Sequence, residues 1–130
     1  MRTISATVIW LLIIAVPLLP GHLYAGEADV LDVKVRKQNN GTYSFSVTVR
    51  HADEGWEHYA DRWEVVTPEG EVPGTRVLLH PHVGEQPFRR SLQGVEVPSG
   101  IGKVIVRARD SVHSYGGKEM EVELPGENGK

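Results

Sequence analysis

The sequence contains no cysteine in its 130 residues. That absence excludes a disulfide scaffold, a thiolate metal site, a cysteine nucleophile and a lipid attached through a thioether. Positive charge is also scarce: 14 Lys and Arg stand against 17 Asp and Glu, a net charge of −3. No basic footprint for nucleic acid or an anionic membrane results. Aromatic residues make up 7% of the chain. No apolar run approaches the roughly 20 residues that span a bilayer. Beyond the N-terminal run, no stretch repeats its apolar residues with the 3.6-residue period of an amphipathic helix. What remains is one domain's length of chain, with 40% hydrophobic residues, 14 Gly and 8 Pro, the composition of a small globular unit.

The N-terminus reads as a targeting segment. Met1 and Arg2 precede an apolar run over residues 8–19, Pro20 and Gly21 close it, and Leu23-Tyr24-Ala25 ends in a small residue. This is the layout of a secretory signal peptide, residues 1–25, with retention as a membrane anchor as the alternative. Cleavage after Ala25 removes Arg2 and His22 and no acidic residue, leaving a chain of net charge −4 with five histidines and no stable membrane anchor. The expected location is periplasmic or secreted, since an exported domain without cysteine fits a bacterial envelope.

From residue 26 onward the chain alternates apolar and polar residues with period two. Leu31, Val33 and Val35 alternate with Asp32, Lys34 and Arg36; Tyr43, Phe45, Val47 and Val49 alternate with Ser44, Ser46, Thr48 and Arg50. Asn39-Asn40-Gly41 between them is a hairpin turn. Further strands are predicted over 62–67, 75–80, 88–97 (bent near Gly94), 103–109 and 118–124, and a disordered polar tail over 125–130. Residues 26–124 therefore form an all-β, seven-stranded antiparallel two-sheet sandwich.

The segment Val97-Pro98-Ser99-Gly100, the strand Val104 to Asp110, Ser111 and then Gly116-Gly117 resemble the last three strands of immunoglobulin-like and fibronectin type III-like bacterial domains. The resemblance implies an immunoglobulin-like fold and no activity. Residues 51–63 and 80–92 also resemble small exported bacterial proteins of unassigned function.

Histidine placement carries the functional signal. Successive strand reversals put alternate loops at opposite poles, and His51, His58, His80, His82 and His113 all fall on three loops at one pole. Imidazole is the commonest protein metal ligand, and His with Asp or Glu suits Cu(II) or Zn(II). Asp53, Glu54, Glu57, Asp61, Glu85 and Asp110 lie on the same loops, as further ligands or as acceptors that orient an imidazole. His51, His80, His82 and His113 are the expected ligands, with His58 an alternate. No HExxH or finger spacing is present.

The predicted function is non-catalytic binding of a divalent metal. The alternative is an interaction or ligand-binding module that presents Trp56, Tyr59 and Tyr115 to an envelope protein partner or a saccharide, with structural histidines. A metal-dependent hydrolase or oxidase ranks third, because so small a sandwich offers no obvious substrate cleft. Trp63 is expected in the core, and Arg89, Arg90, Arg107 and Arg109 on a solvated sheet face.

Overall fold

The computed structural model describes residues 26–126; the expected signal segment, residues 1–25, and the last four residues of the expected tail lie outside them. Seven strands form in order: β1 (Asp29–Lys37), β2 (Tyr43–Arg50), β3 (Ala60–Val66), β4 (Gly74–Val77), β5 (Phe88–Val95), β6 (Lys103–Asp110) and β7 (Met120–Glu123). One sheet has the order β1-β2-β5 and the other β4-β3-β6-β7, and every pairing is antiparallel. The predicted seven-stranded sandwich is what the chain adopts.

Alternation dictates the two faces. Phe45, Val47 and Val49 of β2 point inward and meet Val104, Val106 and Ala108 of β6, with Trp63 and Val65 of β3 filling the space between; all eight are buried. Both central inward rows continue by period two into a polar residue at the same end. The β2 row reaches His51, and the β6 row reaches Asp110. Among the described residues, the core cluster and the residues packed on it lie between Ala28 and Leu124.

Local chemistry explains the turns. Asn40 Oδ1 accepts from the Thr42 amide (3.1 Å) and hydroxyl (2.7 Å), while Gly41 takes φ +85°. The bend in β5 is a bulge: Tyr43 pairs with Val95 but Phe45 with Leu92, and Gly94 absorbs the extra residue at φ +70°.

In two places the chain departs from expectation. The fourth strand stops at Val77, so His80 belongs to the β4–β5 loop rather than to a strand end. A tight turn, with Thr67 N–H donating to Glu71 O (2.8 Å), keeps short β4 on β3. In the antibody constant-type order the fourth strand pairs instead with the fifth in the other sheet. Gly116-Gly117, whose residue types suit a hairpin turn, does not take positive φ. Ser114 supplies that conformation (φ 65°), whereas Gly117 is required because a Cβ there would collide with the carbonyl of Ala28. The close approach lets Val30 N–H donate to Lys118 O (2.8 Å) and Lys118 N–H donate to Asp29 Oδ1 (2.7 Å), stapling the start of β1 to the β6–β7 connection.

Gly117→Ala is therefore expected to destabilise the fold by about 1–3 kcal/mol, the cost typical of overpacking against a fixed neighbour. Trp63→Ala should cost about 3–5 kcal/mol. Urea unfolding followed by tryptophan fluorescence for Gly117→Ala, and by circular dichroism for Trp63→Ala, checks both.

Candidate metal centre

Three loops converge where the inward rows end. His51 extends β2, Asp53 and His58 lie on the β2–β3 loop, and Asp110 ends β6 just before His113. Asp110 is completely buried, and His51 and Asp53 nearly so.

The two oxygens of Asp110 have different surroundings. Oδ1 accepts from the backbone amides of Val112 (2.7 Å) and His113 (2.5 Å), with His113 Nδ1 at 3.1 Å. Oδ2 faces two imidazoles: His58 Nε2 at 2.6 Å, and His51 Nε2 in direct contact. Burial pushes this carboxyl toward its neutral form. The amide bonds from His113 and Val112, the His113 ring and the nearby His51 outweigh it, and Asp110 is held below the ordinary carboxylate value.

Each imidazole facing Oδ2 has a second carboxylate behind it. His51 Nδ1–H donates to Asp53 Oδ1 (2.5 Å), and His58 Nδ1 lies 3.7 Å from Glu54 Oε1. Asp53 is itself fixed, since Oδ1 accepts from Ala60 N–H (3.1 Å) and Oδ2 from His82 N–H (2.7 Å). For His51, the carboxylate that holds Nδ1–H leaves Nε2 to face the opposite side, the arrangement by which proteins aim an imidazole at a metal; Glu54 lies beyond hydrogen-bond distance of His58 and supplies only nearby negative charge. His51 Nε2, His58 Nε2 and Asp110 Oδ2 thus form a set of facing donors, all within 4.8 Å of one another. The His58 ring also meets those of His51 (4.9 Å) and His113 (5.0 Å) edge-on.

His80 and His82 form a separate pair, with ring centroids 4.6 Å apart. Two residues apart in an extended segment, they are expected from spacing on one side of the chain, and they lie side by side, but His82 is committed elsewhere. It is buried, stacked on Phe88 (4.0 Å), and its Nε2 receives a hydrogen bond from Arg90 Nη2 (2.9 Å). Because guanidinium only donates, the ring proton sits on Nδ1, which is buried without a partner. Neither nitrogen of His82 presents a free lone pair. Exposed His80 directs Nδ1–H to Pro81 O (3.0 Å). Of the five expected histidines, the fold gathers His51, His58 and His113 around Asp110 and sets His80 and His82 aside.

Sequence reasoning missed three contributors. Arg90, expected on a solvated face, shares the face of Phe88 and Leu92 by period two and so reaches His82. Gln86 joins two loops: its Oε1 accepts from His51 N–H (2.9 Å) and its Nε2 donates to His82 O (3.0 Å). The Gly26 carbonyl lies 3.0 Å from His51 Nε2. Only Arg90 carried a signal, its parity with Phe88. Arg107 and Arg109 are likewise engaged, with Glu64 (2.6 Å) and Asp61 (2.5 Å) respectively. The Arg107 guanidinium covers the Tyr115 ring at 4.1 Å, so that ring is not a free contact.

A hollow of about 470 Å³ opens at the opposite pole, lined in part by Lys37, Tyr43, Val97, Ile101 and Leu124. Among the described residues its lining includes no histidine or carboxylate.

No protein-family model matches the chain. No solved structure matches it either. Over 97 residues the chain is 44% identical to a protein of Halomicrobium mukohataei described as "Putative lipoprotein". The match covers 75% of this chain and 47% of that protein, so the chain spans about half the length of the curated relative it matches.

The environment of His82 makes stability depend on pH. Burial, then the charges of Arg90 and His80, hold its imidazole below the ordinary 6.5, against weaker opposing pulls from Asp53 and Glu85. As pH falls below 6.5, the unfolded chain takes up a proton that native His82 refuses, so stability declines until the native ring also titrates. The urea midpoint of the wild type should therefore drop between pH 7.5 and 5.5, and the drop should shrink in His82→Gln. An equal drop in both proteins would contradict this assignment.

Proposed function

We propose that this is an exported sandwich that binds one divalent metal ion, Cu(II) or Zn(II), without catalysis, through His51 Nε2, His58 Nε2 and Asp110 Oδ2. One observation carries the reading: two imidazole Nε2 atoms face the same carboxylate oxygen, and a second carboxylate, Asp53, holds the Nδ1 of His51.

Charge and proton balance support it. Both nitrogens of buried His51 face carboxylate oxygens, so either the ring holds two N–H donors or a cation replaces one of them. Asp53 and Asp110 bring two buried negative charges, and their described contacts include no lysine or arginine. A divalent ion neutralises that pair, and buried charge is costly unless compensated. Two imidazoles and a carboxylate suit Cu(II) or Zn(II) better than Ca²⁺ or Mg²⁺, which prefer all-oxygen sites.

The signal-like residues 1–25 and the name of the relative both favour export, to the periplasm or beyond the cell. Lipid attachment belongs to the relative's name alone, because the present sequence holds no cysteine to carry it. The strand arrangement and residues 97–117 also favour kinship with immunoglobulin-like bacterial domains.

Calorimetry with Zn²⁺ and Cu²⁺ on tag-free protein should give one ion per chain, with a micromolar or tighter Kd. His58→Ala, at the rim of the core, should weaken binding by about 100-fold or more, and Asp53→Asn by about 10–100-fold, the range for outer-shell partners. His80→Ala should leave affinity unchanged. Absence of stoichiometric binding, or equal affinity in His58→Ala, overturns the proposal.

A second reading rests on the rim of the same pole. Trp56 (67% exposed), Leu79 (75%) and Val112 (58%) each come from a different loop, as a surface that docks an envelope protein would require. In that case the Asp110 network is a structural clasp. Trp56→Ala would then abolish capture of a defined partner that His58→Ala still captures.

A further inference from the structure

β1 begins at the metal pole. Asp29 pairs with Arg50 and Val30 with Val49, so the residues ahead of β1 run beside the end of β2 toward His51. The Gly26 carbonyl oxygen lies 3.0 Å from His51 Nε2, the same nitrogen that faces Asp110 Oδ2. The approach is fixed by the Val30–Lys118 and Lys118–Asp29 hydrogen bonds and by the packing of Gly117 under Ala28. The residue before Gly26 is Ala25, the last of the expected cleavage motif.

We infer that removal of residues 1–25 completes the metal centre, with the new α-amino nitrogen and the carbonyl oxygen of Gly26 joining His51, His58 and Asp110 as ligands. The inference rests on the metal-binding reading and adds a condition to it: tight loading follows processing.

The chemistry balances with water as the only co-reactant. Hydrolysis breaks the C–N bond between Ala25 and Gly26; hydroxyl goes to the Ala25 carbonyl carbon, which becomes a carboxylate, and hydrogen to the Gly26 nitrogen. Before cleavage that nitrogen's lone pair is delocalised into the amide and is a poor donor. Afterwards it is a primary amine, which gives up its extra proton to solvent when it binds the ion.

Amine and carbonyl of one residue close a five-membered ring on a metal. With the oxygen already beside His51 Nε2, rotation about the Gly26 Cα–C bond brings the nitrogen round, and glycine has no side chain to obstruct it. The resulting set of three nitrogens and two oxygens remains typical of Cu(II) or Zn(II).

The test compares residues 26–130 carrying a free Gly26 amine with the same chain Nα-acetylated, their folding matched first by circular dichroism and urea midpoint. Zn²⁺ and Cu²⁺ affinities are measured for both, each also with His58→Ala. Acetylation should weaken binding by about tenfold or more, at least the loss of one outer-shell partner. Equal affinity in the free and acetylated chains, still lowered by His58→Ala, overturns the N-terminal ligand and leaves the metal centre standing. No stoichiometric binding to either chain overturns both. Mass spectrometry of the exported protein should find Gly26 first; any other first residue contradicts the inference.

Discussion

A single carboxylate organises one pole of this protein. Asp110 is buried at the end of an inward strand row, where a charged group is costly unless its oxygens are fully engaged. The backbone amides of Val112 and His113 occupy one oxygen, and His51 and His58 face the other. Through these contacts the end of β2, the β2–β3 loop and the β6–β7 connection are tied to one atom pair. Removing the carboxylate would free both loops at once, so Asp110 is central whether the cluster holds a metal or only clasps the fold.

The other polar groups of that pole depend on it in sequence. Asp53 aims His51 and also holds the β4–β5 loop through the amide of His82. Gln86 adds a second tie between the same two segments. His82 shows the opposite use of an imidazole: Arg90 takes its lone pair and Phe88 its face, so it fills space and spends no nitrogen on a ligand. Two histidines of one sequence thus acquire different roles because one has a carboxylate behind it and the other a guanidinium in front.

Much of this was legible in the residues. Phe45-Val47-Val49-His51 and Val104-Val106-Ala108-Asp110 are period-two rows whose last member is polar, and the hairpin at Gly41 and the bend at Gly94 follow from turn chemistry. Placement of all five histidines at one pole needed only strand order. Which of them meet was not legible, because that depends on how loops without regular periodicity fold back. His80 and His82 looked the better pair from spacing, yet β4 ends at Val77 and Arg90 reaches across from β5. The role of Gly117 was hidden for a related reason: its partner, Ala28, lies far away in sequence.

If Asp110 and its facing histidines hold a divalent metal, the ion's own coordination shell must show it. X-ray absorption at the zinc or copper edge, on protein loaded with one equivalent, tests it most directly. The expected result is a first shell of mixed nitrogen and oxygen at about 2.0–2.1 Å, with the outer-shell scattering of two imidazoles. That scattering should fall to one imidazole in His58→Ala. A shell of oxygen alone, without imidazole scattering, would contradict it.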